Sequence, residues 1–148
     1  MLSAFTMSLM ASFLLGADGA ISGMGSVTAD LQAELFEACG KGDLDGARRI
    51  NDRLAPLVSV FYAPPFVDMH NRMKEALVLL GRIPAAYVRP PLTPVSGAER
   101  AAIRRALTAA GLRKRERANH GSRNQGQERD RLRRQQGARQ GLRHVARP

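Results

Sequence analysis

Apolar side chains recur at helical spacing through the first three quarters of the chain. In one run, Thr28 is a candidate N-cap residue, and Leu31, Leu35 and Ala38 share one face of the predicted helix. A spacing of three and four residues is typical of a helix that buries one face in a core. The pattern therefore predicts a helix that ends at Gly40.

A longer apolar stripe follows, with Asp43 as its candidate N-cap residue. The apolar positions of this stripe are Leu44, Ala47, Ile50, Leu54, Leu57 and Phe61. Pro56 lies within the stripe, and because proline lacks an N–H donor and crowds the preceding turn, it predicts a kinked helix or one divided near Ala55. Pro64 and Pro65 then end the pattern.

Two more helices are predicted, joined by a proline-rich extended connection over residues 82–95. The first ends at Gly81, and its apolar positions are Phe66, Met69, Met73, Ala76, Leu77 and Leu80. Ser96 and Glu99 form a capping box at the start of the second, and Gly111 closes it. The apolar positions of this second helix are Ile103, Leu107 and Ala110.

The N-terminal segment combines a helical pattern with a strand pattern. Residues 2–15 are apolar and suit a helix that ends at Gly16, whereas the short apolar run 19–23 predicts a brief buried strand of a parallel sheet. No Lys or Arg precedes Lys41, and Asp18 interrupts the apolar stretch, which argues against a signal peptide and a membrane span. We expect no membrane partner.

The positive charge is concentrated near the C-terminus. Residues 113–148 hold 12 of the 23 Lys and Arg residues but only 3 of the 13 Asp and Glu residues. This segment has no aromatic residue and few aliphatic ones, so it is predicted to be a disordered Arg-rich tail. Two interpretations stay open: an unselected extension encoded by G+C-rich DNA, and a weak binder of nucleic acid or another polyanion.

Few residues suggest metal or redox chemistry. Cys39 is the single cysteine, which excludes an intrachain disulfide, suits a cytoplasmic location and predicts core packing on its helix. His70, His120 and His144 are scattered, without metal-ligand spacing, and Asp68 and His70 suit an exposed helix face. We expect neither a metal ion nor a cofactor.

Three stretches, in this order, resemble a known enzyme family. Residues 15–22 read LGADGAIS, a G-x-x-G-x-I-S pattern, and residues 42–57 read GDLDGARRINDRLAPL. The third combines KEALVLLG at 74–81 with VRPPLTP at 88–94. In order and spacing, over roughly residues 5–112, they resemble the dihydrodipicolinate synthase / N-acetylneuraminate lyase family of pyruvate-type aldolases.

The resemblance implies a fold. The family has a TIM (β/α)8 barrel followed by a helical domain, and such a barrel takes about 250 residues. The resemblance therefore implies a mostly α chain, with residues 1–41 as a barrel remnant (helix, last strand, helix), residues 42–112 as the C-terminal helical domain, and then the tail. The last strand would lack both barrel neighbours, and self-association through the exposed barrel surface is expected.

The resemblance also implies a chemistry, in which a lysine forms an imine with pyruvate or a related 2-oxo acid while a tyrosine relays protons. These groups correspond to positions before residue 1. Lys41, Lys74 and Lys114 do not follow an apolar strand, and neither Tyr62 nor Tyr87 lies on a predicted strand. We expect a truncated lyase or aldolase that is inactive alone and contains no catalytic residue.

Of the family's contact residues, only Ile21 carries over, at the position that lines the pyruvate pocket. An alternative for Ile21 is a buried strand isoleucine without a ligand. An alternative for the whole chain is a small helical domain whose basic tail binds nucleic acid or another polyanion.

Overall fold

A computed structural model describes residues 1–112, and these residues are mostly helical, as predicted. The regular elements in chain order are β1 (Leu2–Ser3), a 3-10 turn (Thr6–Ser8), α1 (Leu9–Leu14), β2 (Gly19–Ala20), α2 (Gly25–Gly40), α3 (Leu44–Phe61), a second 3-10 turn (Phe66–Asp68), α4 (Met69–Leu79) and α5 (Gly97–Ala109). The predicted basic tail lies outside the described residues.

The two strands form a parallel pair, in which Leu2 lies opposite Gly19 and Ser3 opposite Ala20. The prediction of one helix over residues 2–15 is therefore wrong, because the first residues pair with β2 and α1 begins only at Leu9. The expectation that the second strand lacks both neighbours is also wrong. That strand is shorter than predicted, and its two residues are half-buried rather than buried.

Helix α2 buries the predicted face of Leu31, Leu35 and Ala38. It begins earlier than expected, at Gly25, and Thr28 lies at a kink inside it with φ −129° and ψ 27°. The Thr28 hydroxyl donates a hydrogen bond to a carbonyl of the preceding turn. Thr28 therefore marks a break within the helix and not its first residue.

Asp43 caps α3 as predicted, since its Oδ1 accepts a hydrogen bond of 2.8 Å from the backbone N–H of Gly46. Gly46 is packed so closely against this carboxylate that a Cβ atom at position 46 would overlap with it. The helix continues undivided through Pro56. Leu44 is 49% exposed, in contrast to the prediction, while the buried apolar positions are Ala47, Leu54, Leu57 and Phe61.

Arg72 of α4 has a side chain that is only 3% exposed, and its guanidinium joins three segments. Its Nε donates to Glu99 Oε1 over 3.1 Å. Its terminal nitrogens donate to backbone carbonyls in the turn between α3 and α4, namely those of Phe61, Ala63, Pro64 and Pro65. Glu99 also completes the predicted capping box with Ser96 at the start of α5. The buried guanidinium of Arg72 thus connects α4 to α5 and to the turn after α3 through hydrogen bonds.

One apolar core lies between the helices, with α2 packed on α3, α3 on α5 and α4 on α5. Helices α1 and α2 contribute side chains to the same core as α3, α4 and α5. The predicted division into a barrel remnant and a helical domain at residue 41 stays a prediction. Cys39 is half-buried beside this core, and burial raises the pKa of its thiol above the ordinary value. A raised pKa disfavours the thiolate, which is the reactive form of cysteine.

Candidate functional site

The carboxyl ends of β1 and β2 lie side by side, because the strands are parallel and in register. Residues 4–6 leave one strand and residues 21–23 leave the other. In barrels of alternating strands and helices, active sites are built from the segments that follow the carboxyl ends of the strands. This edge is therefore the candidate functional site.

A chain of hydroxyl and amide groups joins the two segments to α2. Thr6 Oγ1 donates to Ser22 Oγ over 3.0 Å, and Gln32 Nε2 lies 3.2 Å from the same oxygen. Gln32 Nε2 also lies 2.9 Å from the Thr28 hydroxyl oxygen. Thr6 and Thr28 are buried whereas Ser22 and Gln32 are half-buried, so these bonds are partly shielded from water and connect both segments to α2.

Ile21 follows β2 directly, and its backbone N–H donates a 2.8 Å hydrogen bond to the carbonyl of Ser3. Its side chain is 68% exposed at the carboxyl end of the strands. The interpretation of Ile21 as a buried strand residue is therefore wrong. Its role in a pyruvate pocket stays a prediction.

An open groove of about 310 Å³ borders this edge. One wall is the segment from Ala4 to Met7. The other runs from the end of α3 through the second 3-10 turn to the start of α4, and its lining side chains are Tyr62, Phe66, Met69 and His70. His70 Nε2 lies 3.5 Å from the position that a Cβ on Gly23 would take, so the imidazole stands over the segment after β2. The groove combines aromatic, thioether and imidazole groups.

The sequence pattern gave no signal for this groove. Its walls lie more than 50 positions apart along the chain, so only the packing of α4 against α2 brings them together. His70 is exposed on α4, as the sequence predicted, but its position beside Gly23 was not foreseen.

The lysines of the described residues lie away from the strand ends. Lys41 follows α2, is exposed and forms an ion pair with Glu37 over 3.2 Å. Lys74 lies on α4 and donates a 2.8 Å hydrogen bond to the carbonyl of Tyr87. Lys114 lies outside the described residues. Tyr62 borders the groove, whereas Tyr87 is exposed on the connection after α4.

Residues 1–112 contain neither a metal-binding cluster nor a membrane-spanning helix. No group of three or more His, Cys, Asp or Glu side chains in this part of the chain is arranged to hold a metal ion. Of the helices described for the same residues, none combines the length and the apolar character needed to cross a lipid bilayer.

Comparison with known proteins gives one consistent result. The family model described as the Dihydrodipicolinate synthetase family matches residues 1–110. The chain is 40% identical over 111 residues to a 4-hydroxy-tetrahydrodipicolinate synthase of Rhodopseudomonas palustris (strain BisA53), which covers 75% of this chain and 36% of the relative. It is 33% identical over 100 residues to the putative 2-dehydro-3-deoxy-D-gluconate aldolase YagE of Escherichia coli K12, covering 67% of the chain and 32% of that relative.

Solved structures are similar over the same part. The dihydrodipicolinate synthase of Acinetobacter baumannii in complex with pyruvate matches with a TM-score of 0.65 and 28% identity, over 76% of this chain and 37% of that one. YagE in complex with pyruvate matches with a TM-score of 0.66 and 29% identity, again over 76% and 37%. The chain therefore spans about a third of the length of the relatives that it matches.

Proposed function

Because the chain belongs to the dihydrodipicolinate synthetase family, we propose that its described residues are the C-terminal part of a lyase or aldolase that acts on pyruvate or a related 2-oxo acid. Two family structures of similar fold contain pyruvate, which supports this substrate class. The order of the three sequence stretches supports the assignment to the C-terminal part.

The observation that carries the proposal is the exposed side chain of Ile21 at the carboxyl end of a parallel strand pair. In this proposal, Ile21 supplies an apolar wall of the pyruvate pocket. Thr6 and Ser22 do not contact the substrate, but their hydrogen bond holds the segments on either side of that wall. An apolar wall excludes water from an imine and so slows its hydrolysis.

The lysine that forms the imine is proposed to come from outside residues 1–112. A nucleophilic lysine of this kind lies desolvated in an apolar pocket. Lys41 is exposed and paired with Glu37, and Lys74 is committed to a backbone carbonyl on α4. We therefore propose that these 148 residues do not form a Schiff base alone.

Borohydride trapping tests this proposal. The chain is incubated with pyruvate and cyanoborohydride, and adducts are sought by intact-mass and peptide mass spectrometry. We expect no adduct on the chain alone. A stoichiometric adduct on Lys41 or Lys74 would contradict the proposed source of the lysine.

The same trapping is then applied to a fusion in which the chain follows the part of the Rhodopseudomonas palustris relative that it does not match. We expect an adduct on a lysine of the added part. Ile21→Asp should reduce its yield at least tenfold, because a charge at that position disfavours an apolar pocket. The matched control is Leu44→Asp, at a half-exposed apolar position on α3, which should leave the yield unchanged. A folded fusion without any adduct would overturn the proposed function.

The basic segment 113–148 supports a second, weaker proposal, that it binds nucleic acid phosphates without sequence preference. Such binding should fall steeply with salt and disappear when residues 113–148 are deleted. Salt-insensitive binding by residues 1–112 would contradict it. A cytoplasmic location likewise stays a proposal, based on the single cysteine.

A further inference from the structure

The groove beside the strand ends is lined mainly by aromatic rings and thioethers. Phe5 and Met7 lie on one wall, and Tyr62, Phe66 and Met69 lie on the other. The side chains of Phe5 and Phe66 are 56% and 53% exposed. Among the described residues that line the groove, no side chain carries a carboxylate, an ammonium or a guanidinium group. The lining therefore suits an uncharged, apolar ligand.

The three rings of the groove are not paired with one another. Within residues 1–112, the aromatic pair in contact is Phe13 with Phe36, whose ring centroids lie 5.1 Å apart in an edge-to-face arrangement. This pair joins α1 to α2 and does not line the groove. An aromatic ligand would supply the edge-to-face or offset contacts that the rings of the groove do not make among themselves. The two methionine thioethers also favour contact with a ring.

The groove adjoins the segment that carries Ile21. Gly23 lines it and follows Ile21 by two positions. The imidazole of His70 stands over Gly23, with Nε2 3.5 Å from the position that a Cβ on Gly23 would take. The Thr6 hydroxyl already donates to Ser22. His70 therefore offers a hydrogen-bonding group on the side of the groove that borders Ile21.

We propose that the groove holds the second substrate of the proposed reaction, and that this substrate is an aldehyde with an aromatic ring. The ring lies between the wall of Phe5 and the wall of Phe66, and the carbonyl oxygen accepts a hydrogen bond from His70. The proposal rests on the proposed function, since an aldolase that acts on pyruvate joins it to an aldehyde.

The aldehyde accepts the new carbon–carbon bond. The former methyl carbon of the pyruvate enamine bonds to the aldehyde carbon, and the electron pair of the C=O bond moves to the aldehyde oxygen. That oxygen takes up a proton and becomes a hydroxyl group, which balances the proton that the methyl carbon lost when the enamine formed. Water then hydrolyses the imine and frees the lysine. A hydrogen bond from His70 stabilises the charge that develops on the aldehyde oxygen.

Other occupants fit the groove less well. A phosphate group is bound most strongly by guanidinium or ammonium groups, which the described lining lacks. A chain of hydroxyl groups would lie against rings and thioethers that offer it few hydrogen-bond partners. A protein partner is also a poor match. The groove holds about 310 Å³, a size typical of small-molecule sites, whereas a stable protein contact buries about 800 Å² on each side.

Binding is tested first, with the full 148-residue chain and two unreactive probes. Benzyl alcohol represents an aromatic aldehyde, and glycerol 3-phosphate represents a phosphorylated one. The methionine methyl groups are isotope-labelled for NMR, so that Met7 and Met69 report on the groove, while Met10 on α1 lies outside it. We expect benzyl alcohol to shift the signals of Met7 and Met69 but not that of Met10. It should bind about tenfold more tightly than glycerol 3-phosphate.

A pair of matched variants in the second 3-10 turn locates the ring. Phe66 lines the groove, whereas Val67, which is 61% exposed, does not. Phe66→Ala should weaken the binding of benzyl alcohol about fivefold, because it removes a ring contact. Val67→Ala should leave the affinity unchanged. Circular dichroism of each variant checks that the helices are retained.

Turnover is tested with the fusion to the unmatched part of the Rhodopseudomonas palustris relative. Pyruvate trapping is measured first, because it reports on the proposed function alone. The values of kcat/KM for benzaldehyde and for glyceraldehyde 3-phosphate are then compared, and we expect benzaldehyde to be favoured about tenfold. His70→Ala should lower kcat/KM for benzaldehyde about fivefold, more than it changes pyruvate trapping, through the loss of one hydrogen bond. Val67→Ala should change neither quantity.

Three results would overturn the aromatic aldehyde: benzyl alcohol does not bind, Phe66→Ala and Val67→Ala weaken its binding equally, or a fusion that traps pyruvate prefers glyceraldehyde 3-phosphate. In the last case the proposed function still stands. An unchanged kcat/KM in the His70→Ala fusion would overturn the assigned hydrogen bond. A fusion that traps no pyruvate overturns the proposed function, and with it the assignment of the groove to a second substrate, even where benzyl alcohol binds.

Discussion

The segments before and after Lys41 differ in how fully they pair their backbone hydrogen-bonding groups and bury their large apolar side chains. The first contains a two-residue strand pair with unpaired outer edges and most of the exposed large apolar residues. The second contains two capped helices and a buried arginine whose three nitrogens donate to one carboxylate and to the carbonyls of a turn. A helix completes its hydrogen bonds within itself, whereas a strand requires neighbours. Within residues 1–112, the helical segment therefore pairs its own backbone groups, whereas the strand pair leaves its outer edges unpaired.

Amide hydrogen exchange should reveal the largest difference between the segments. We expect the N–H of Ile21 to exchange at least a hundredfold faster than that of Leu57, because the strand pair opens locally whereas the middle of α3 opens only with the core. Leu57 is fully buried. Exchange followed by NMR measures both. Equal, slow exchange at the two positions would contradict a difference in local stability between the segments.

The substitution Arg72→Ala should destabilise the helical segment strongly. It leaves several backbone carbonyls of the turn after α3 without their donor and Glu99 without its cation. A buried acceptor that loses its hydrogen-bond donor costs about 1–3 kcal/mol. Urea unfolding followed by circular dichroism measures the loss.

The control for this substitution is Arg104→Ala, at an exposed position on α5. It should change the free energy of unfolding by about 0.5 kcal/mol or less. Similar losses for the two variants would show that Arg72 contributes only its charge and not its buried contacts.

A smaller effect should appear in the dependence of stability on pH. Hydrogen bonds from the backbone N–H and hydroxyl of Ser96, together with Arg72, lower the pKa of Glu99 below its ordinary value of 4.5. Because the folded state holds the lower pKa, this contribution is complete above pH 4.5 and is lost as the pH falls through the lowered pKa. The side chain is 38% exposed, so we expect about 1 kcal/mol or less.

Comparison of the parent chain with Glu99→Gln isolates this contribution. The stability difference between the two should shrink as the pH is lowered below the ordinary pKa of glutamate, as measured by urea midpoints. A difference that is constant with pH would mean that Glu99 acts through packing alone.

The helices could be predicted because their signals are local. Asp43 and the Ser96–Glu99 capping box are confirmed, and so are the buried positions Leu35 and Leu57, since caps and apolar stripes depend on residues within one or two turns. The strand of Leu2–Ser3 could not be predicted, because a segment of two residues fits a helix equally well until a partner strand pairs with it.

The candidate site was predictable only in part. Ile21 was found through its sequence stretch, and its exposure contradicts the buried interpretation, while its role in a pyruvate pocket stays a prediction. The groove beside it is lined by Tyr62 and His70. Helix packing brings the imidazole of His70 to Gly23. A single sequence contains no signal for contacts between residues that are far apart along the chain.

The cap of α3 links two positions of the chain in a way that limits how its sequence can vary. A side chain at position 46 would overlap with the carboxylate of Asp43, so any replacement of Gly46 must also shift the capping side chain. Conversely, once Asp43 is replaced by a small residue, the reason for glycine at 46 disappears. The two positions therefore behave as one unit, and their single and double substitutions should not be additive.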